Sequence, residues 1–132
     1  MLNPDHLRPE NPEQPVILVV DDEVLVRNYV RIILDADGYF ILAAHDGVEA
    51  LEMSRTFPGT IRAVLSDVTM PKMDGVELRK RILQERPGIK VLLMSGHLYS
   101  PARNVPFLRK PFTPDILKDR IRQLLAPSSA SE

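Results

Sequence analysis

The chain has 132 residues, of which 44% are hydrophobic and 27% are charged, and it contains no cysteine. This length suits one domain, and no apolar run approaches the roughly 20 residues that a membrane-spanning helix needs. A formal net charge of -1 argues against direct nucleic-acid binding, because a phosphate backbone is held by an excess of positive charge. The lack of cysteine excludes disulfides and thiolate metal sites. We therefore expect a soluble, cytoplasmic protein that binds neither nucleic acid nor membrane.

The first part of the chain is a proline-rich segment followed by a strand and a helix. Residues 1–15 hold four prolines among polar side chains, which oppose helix formation and offer little surface to bury, so we predict a flexible arm. Val16–Val20 is a continuous apolar run rich in β-branched residues, which predicts a strand covered on both faces, as in a parallel sheet. After Asp21–Asp22, the segment Glu23–Ala36 has apolar residues at helical spacing and precedes Gly38, which suits a left-handed C-cap.

Strands and helices alternate along the rest of the chain. The further predicted strands are Phe40–Ala43, Ala63–Ser66, Lys90–Met94 and Val105–Leu108, and the further predicted helices are Val48–Arg55, Val76–Glu85 and Pro114–Leu125. Asp46 has capping-box spacing with the glutamate three residues later, and Thr113 with Pro114 offers an N-cap and a first-turn proline for the last helix. This alternation predicts right-handed crossovers and an α/β domain over residues 16–125, with a parallel sheet covered on both sides. Residues 126–132 are predicted to be a tail.

In parallel α/β sheets, binding sites lie beyond the carboxyl ends of the strands. The polar residues at these ends are Asp21 and Asp22 after the first strand, Asp67 after the third, Ser95 after the fourth, and Arg109 with Lys110 after the fifth. Three converging carboxylates repel one another unless a hard divalent cation with oxygen ligands lies between them, and Mg2+ is the natural occupant. A lysine and a hydroxyl at the same edge supply the positive charge and the hydrogen-bond donor that a transferred phosphoryl group needs. The set therefore predicts Mg2+-dependent phosphoryl chemistry.

Four segments of the sequence, VVDDE, LSDVTMPKMDG, LMSG and LRKPF, follow one another as they do in the response-regulator receiver domains of two-component systems. The chain resembles that family over residues 16–125. The resemblance implies a flavodoxin-like, doubly wound sheet of five parallel strands in the order 2-1-3-4-5. It also implies a signalling switch that accepts a phosphoryl group on Asp67 from a sensor histidine kinase or phosphotransfer protein. Such a switch catalyses only its own phosphorylation and dephosphorylation, and it passes a conformational change to a downstream protein partner. We expect no output domain within the chain.

The resemblance assigns roles at the metal and phosphate sites. It implies that Asp22 ligates Mg2+ directly, Asp21 mainly through water, and Thr69 through its backbone carbonyl. Asp67 is then both a ligand and the phosphoryl acceptor. Lys110 pairs first with the acceptor carboxylate and later with the phosphoryl oxygens.

Three further residues are implied in switching or in the geometry of the site. The hydroxyl of Ser95 would bond to the phosphoryl group only once its loop has moved inward. Phe107, three residues before Lys110, matches the aromatic switch position, but it has no phenol with which to signal through a hydrogen bond. Pro111 resembles the cis proline of the family, so we predict a cis Lys110–Pro111 bond.

The connection between the fourth and fifth strands departs from the family pattern. Only 14 residues separate Ser95 from Lys110, and the predicted fifth strand leaves little more than a loop at residues 96–104. A crossover between parallel strands normally needs a dozen or more residues, usually helical, and Pro101 restricts this one further. We predict a short turn or a distorted helix here, so that the fourth helix of the family is shortened or absent. Phe107 and the last helix are then expected to be more exposed than usual and to form an apolar patch for a partner.

Each feature also has a simpler explanation when it is taken alone. A pair of aspartates after a strand is more often a turn signal and a helix N-cap, and a lone lysine before proline is most often surface charge. Only the joint placement of these residues favours a site. His6, His45 and His97 share no metal-ligand spacing and are predicted to be surface imidazoles.

Three other functions are compatible with an α/β fold of this kind. A phosphohydrolase of the dehalogenase type also uses an aspartyl phosphate, but it needs a second acid where this chain has Thr69. A flavin carrier would hold its phosphate after the first strand, where Asp21 and Asp22 repel an anion. A pseudo-receiver, which acts as a phosphorylation-independent interaction module, fits the altered connection and stays open as the alternative.

Overall fold

A computed structural model describes residues 9, 11–96 and 100–127 of the chain. Its strands are β1 (Val16–Val20), β2 (Phe40–Ala44), β3 (Ala63–Asp67), β4 (Lys90–Ser95) and β5 (Phe107–Arg109), and its helices are α1 (Val24–Ala36), α2 (Gly47–Thr56), α3 (Gly75–Glu85) and α4 (Pro114–Leu125). The strands are parallel and lie in the order β2-β1-β3-β4-β5. The predicted doubly wound α/β fold and its strand order are confirmed.

The strand and helix ends lie within one residue of their predicted positions, except for the start of β5, which lies two residues later than predicted. The predicted strand Val105–Leu108 is wrong at both ends, because the observed strand is Phe107–Arg109. Pro106 has no N–H to donate to the ladder, and the N–H of Val105 bonds within a turn instead. The strand therefore begins only at Phe107, and its last residue, Arg109, directly precedes Lys110.

Alternate strand residues face opposite sides of the sheet, and each side carries its own hydrophobic core. The core under α2 and α3 includes Leu18, Val64, Leu78, Ile82 and Leu93, and the core under α1 and α4 includes Ile17, Leu34, Leu65, Leu92 and Leu117. Burying one such side chain contributes roughly 1.5–3 kcal/mol relative to leaving it exposed. The five strands are thus held from both sides, which fixes the positions of their carboxyl ends.

The predicted helix ends are confirmed at three places. The side chain of Asp46 accepts the N–H of Glu49 at 2.8 Å, at the start of α2. The hydroxyl of Thr113 accepts the N–H of Ile116 at 3.2 Å, at the start of α4. Gly38 follows α1 with a φ of 97°, a left-handed conformation that costs glycine little because it has no Cβ.

The connection from β4 to β5 has no helix in its described residues, which are Gly96 and residues 100–106. It turns at Asn104, whose φ of 68° also lies in the left-handed region. The predicted shortening of this crossover is confirmed for these residues. His97 and the rest of residues 97–99 lie outside the described part of the chain.

The predictions for the two ends of the chain fall largely outside the described residues. Residues 1–8, 10 and 128–132 are not described, so the arm, the tail and the placement of His6 stay predictions. The amide of Gln14 donates to the carbonyl oxygen of Gly38 at 3.1 Å. Among residues 11–96 and 100–127, no helix combines the length and the apolar character that crossing a membrane requires.

Candidate functional site

Three carboxylates meet where β1 and β3 end side by side. Asp21 follows β1 directly, and Asp67 is the last residue of the neighbouring β3. One oxygen each from Asp21, Asp22 and Asp67 lies within 4.8 Å of the other two. Asp21 and Asp67 are buried, with 0% and 6% of their surface exposed, whereas Asp22 is exposed. The structure therefore brings the three predicted carboxylates together, in a cluster whose open side lies at Asp22.

Lys110 reaches this acidic cluster from the other half of the sheet. Its ammonium nitrogen lies 3.1 Å from Oδ2 of Asp21 and 3.4 Å from Oδ1 of Asp67. The backbone N–H of Lys110 donates to the carbonyl oxygen of Ser95 at 2.8 Å and so extends the pairing of β5 with β4 by one residue. The Lys110–Pro111 bond is cis, as predicted.

The charges of the cluster act on one another's protonation. Burial raises the pKa of the Asp67 carboxyl above its usual range, the ammonium of Lys110 opposes that rise, and the carboxylate of Asp21 adds to it. Burial alone would lower the pKa of Lys110, but the carboxylates of Asp21 and Asp67 outweigh it and raise that pKa. Lys110 therefore stays protonated. Because one ammonium group faces three carboxylates, the cluster keeps an excess of negative charge.

This donor set fits a hard divalent cation. Mg2+ prefers oxygen ligands and is usually bound by a few carboxylates while it keeps several waters. The exposed carboxylate of Asp22 leaves one side of the cluster open to solvent. A divalent charge would also offset the excess of carboxylates over ammonium groups. Thr69 is exposed, and ligation through its backbone carbonyl stays a prediction.

The two predicted switch residues lie on neighbouring strands. Ser95 is the last residue of β4 and is 8% exposed. Phe107 begins β5 and packs, partly buried, against the core under α2 and α3. The guanidinium carbon of Arg109 lies 5.1 Å from the centre of the Phe107 ring. Phe107 is thus neither fully exposed nor fully buried, and the predicted apolar patch at this edge stays a prediction.

Two contacts at the site were not foreseen from the sequence. A Cβ on Gly75 would lie 2.2 Å from the backbone oxygen of Asp67, so α3 begins against Asp67 at a distance that only glycine allows. From α1, the guanidinium of Arg27 donates to the backbone oxygen of Asp21 at 2.7 Å. The sequence Asp74-Gly75 signals a turn before a helix, but it does not reveal which backbone the turn approaches. No sequence signal marks Arg27.

Comparison with known proteins places this geometry in a family. The profile of the response regulator receiver domain matches residues 17–122. The sensor kinase CckA of Brucella abortus is 37% identical over 116 residues, which are 83% of this chain and 12% of CckA. The transcriptional regulatory protein FixJ of Bradyrhizobium diazoefficiens is 33% identical over 128 residues, which are 88% of this chain and 60% of FixJ. A crystal structure of the receiver domain from the hybrid histidine kinase CckA matches with a TM-score of 0.75 and 36% identity, over 84% of this chain and 99% of that one.

The chain spans less than two thirds of the length of either curated relative, so the similarity concerns their receiver segments. The matched residues 17–122 include the acidic cluster, Lys110 and Ser95. Receiver domains are signalling modules that interact with histidine kinases or phosphotransfer proteins. Sequence, fold and site agree, and the chain belongs to the response regulator receiver family.

Proposed function

We propose that this receiver accepts a phosphoryl group on Asp67 from a sensor histidine kinase or phosphotransfer protein, in a Mg2+-dependent reaction. The observation that carries the proposal is the buried carboxylate of Asp67, with the Lys110 ammonium 3.4 Å away and the carboxylates of Asp21 and Asp22 beside it. On the strength of the family we also propose a downstream protein partner and a cytoplasmic location.

The side chains of the site divide the chemistry among them. An oxygen of Asp67 attacks the phosphorus atom while the bond from phosphorus to the donor imidazole breaks, which leaves a phosphoryl group on the carboxylate. The ammonium of Lys110 then bonds to a phosphoryl oxygen, and the hydroxyl of Ser95 moves inward to bond to another. Asp21, Asp22 and Asp67, with the carbonyl of Thr69, would hold Mg2+, which supplies charge neutralisation between the acceptor and the phosphoryl oxygens.

An apolar surface next to the acidic cluster suits the protein that donates the phosphoryl group. Leu25, Tyr29 and Ile32, which we call the α1 face, have 80%, 41% and 62% of their surface exposed. Their spacing places them on one side of the helix. Because α1 begins two residues after Asp22, a donor whose histidine reaches Asp67 also covers the first turns of α1. We therefore propose that the α1 face contacts the donor.

The proposal is tested with acetyl phosphate as a small phosphoryl donor. In the presence of Mg2+, we expect intact-protein mass spectrometry to show the gain of one phosphoryl group, which disappears when Mg2+ is chelated and in Asp67→Asn. Asp74→Asn is the matched control, because it neutralises a nearby exposed carboxylate yet keeps an oxygen that can cap α3. No modification of the wild-type chain by acetyl phosphate or by any phosphorylated kinase would favour the pseudo-receiver instead.

A further inference from the structure

The end of β4 and the short strand β5 are joined by a side chain as well as by backbone pairing. Ser95 and Arg109 are partners in the register of the two strands. The guanidinium of Arg109 donates through Nη1 to the carbonyl oxygen of Gly96 at 2.7 Å. Gly96 follows Ser95 directly in the chain. The hydrogen bond from Arg109 therefore holds the backbone of the residue next to Ser95, which carries the switch hydroxyl.

The same guanidinium also contacts the aromatic residue of β5. Phe107 and Arg109 are two positions apart on one strand, so their side chains lie on the same face. The guanidinium carbon of Arg109 stands 5.1 Å from the centre of the Phe107 ring, within the range of a cation–π contact. The backbone oxygen of Phe107 in turn accepts a hydrogen bond from Arg120 of α4. A continuous set of contacts thus runs from Gly96 through Arg109 and Phe107 to α4.

We propose that Arg109 is a positioning residue that couples the Ser95–Gly96 segment to Phe107. The inference rests on the proposed function, in which Ser95 moves toward a phosphoryl group on Asp67. When Ser95 moves, the carbonyl of Gly96 moves with it, and the guanidinium that is hydrogen-bonded to this carbonyl follows. Its position over the Phe107 ring then changes. Arg109 thereby links the site to β5 and α4 across an edge of the sheet where the described residues of the crossover form no helix.

Tryptophan fluorescence at position 107 provides the test. The 132-residue chain has no tryptophan, so Phe107→Trp introduces a single indole into it. Beryllofluoride with Mg2+ serves as the phosphoryl mimic. We expect its addition to change the emission of the indole, and we expect Arg109→Ala in the same background to lose most of that change. Arg103→Ala is the matched control, since Arg103 is an exposed arginine of the same connection, and it should keep the full response.

Further variants separate the possible outcomes. Arg109→Lys keeps a positive charge but lacks the planar guanidinium group. It should therefore show a larger emission change than Arg109→Ala but a smaller one than the protein with Arg109. An Arg109→Ala protein that keeps the full response, while acetyl phosphate still phosphorylates it, would overturn the role of Arg109 and leave the proposed function intact. A response that persists in Asp67→Asn would overturn the link to the site.

As a safeguard against disturbance by the indole, amide NMR spectra of the chain with its native Phe107 supply a second readout. There, beryllofluoride should shift the signals of Gly96 and Phe107 together in the wild-type protein. In Arg109→Ala the shift at Phe107 should be lost while the shift at Gly96 remains. Equal shifts at Phe107 with and without the arginine would contradict the coupling.

Discussion

The carboxyl edge of the sheet has two unlike halves. Where β1 and β3 end, buried carboxylates meet in a cluster, and α3 begins in tight contact with the backbone of Asp67. Where β4 and β5 end, the described part of the connection has no helix, and an exposed arginine spans the two strands. In the proposed function, the first half holds the carboxylates that accept the phosphoryl group and bind Mg2+, and the second half holds the switch residues Ser95 and Phe107. Lys110 joins the two halves, because it follows β5 and its ammonium reaches Asp21 and Asp67, whereas the shortened crossover changes only the second half.

Removing Lys110 should have the largest effect, because its ammonium is the group that crosses between the halves. Loss of one preorganised donor typically slows a reaction by about 10²–10³-fold, and we expect Lys110→Ala to slow phosphorylation by acetyl phosphate to that degree. The rate of mass gain in the presence of Mg2+ measures it. Lys80→Ala, which removes an exposed lysine of α3, serves as the control and should keep the wild-type rate. A near-normal rate in Lys110→Ala would remove Lys110 from the proposed chemistry.

The tight backbone packing of the first half is tested at Gly75. Its added Cβ would lie 2.2 Å from the backbone oxygen of Asp67, so Gly75→Ala has to push α3 or β3 aside. We expect a loss of about 1–3 kcal/mol in the free energy of unfolding, the usual cost of overpacking. Urea unfolding measures the loss. Gly88→Ala is the matched control, since a Cβ there meets no atom within 4 Å, and it should stay within about 0.5 kcal/mol of wild type. Equal stability of the two variants would contradict the close approach.

A charge on the α1 face should separate docking from chemistry. Leu25→Glu places a carboxylate where we propose that the donor packs, and we expect transfer from a phosphorylated donor protein to fall about tenfold, a loss typical of an important interface residue. Phosphorylation by acetyl phosphate should not change, because the small donor needs no such surface. Val48→Glu is the control, since Val48 is 40% exposed on α2, on the opposite side of the sheet. If both variants slow transfer alike, the α1 face is not the docking surface.

Low pH should weaken the N-terminal cap of α2, which Asp46 provides in the first half of the sheet edge. Hydrogen bonding to the N–H of Glu49 lowers the pKa of the Asp46 carboxyl; burial opposes this, and the charges of His45 and Lys72 add to it. Because the folded pKa lies below the unfolded one, the ionised cap stabilises the protein above about pH 4 and loses this effect as the pH falls through the lower folded value. We expect the free energy of unfolding of the wild-type protein to exceed that of Asp46→Asn by about 0.5–1 kcal/mol at pH 7. Urea unfolding as a function of pH should show the difference vanish in acid, and a gap that stays constant would contradict the role of the charge.

The two halves also differ in how far the sequence predicts them. The acidic cluster and the lysine that reaches it are predictable, because Asp21, Asp67 and Lys110 stand directly at the ends of strands and parallel register brings such ends together. The close approach of Gly75 is not predictable, because it depends on how α3 enters over the sheet. In the second half, the shortened crossover follows from a count of residues. The bounds of β5 and the hydrogen bond from Arg109 to Gly96 cannot be predicted in this way, since both depend on the path that the connection takes.

The smallest effect should come from two residues that share a backbone conformation, one in each half. Lys72, in the loop after β3, and Asn104, in the connection to β5, have φ values of 70° and 68°. The left-handed conformation destabilises a residue with a Cβ by about 1–2 kcal/mol. Glycine avoids this strain, but its greater freedom in the unfolded chain lowers stability by roughly 0.5–1 kcal/mol. We expect Lys72→Gly to stabilise the protein by about 0.5 kcal/mol and Asn104→Gly to be nearly neutral, because asparagine tolerates this conformation better than lysine. The ion pair of Lys72 with Asp46 is 3.7 Å long and its lysine side chain is exposed, so it is too weak to reverse the sign. Midpoints of urea unfolding measure both changes. A clear gain at Lys72 alone means that backbone strain is held in the half with the acidic cluster, whereas equal gains mean that the two halves are strained alike.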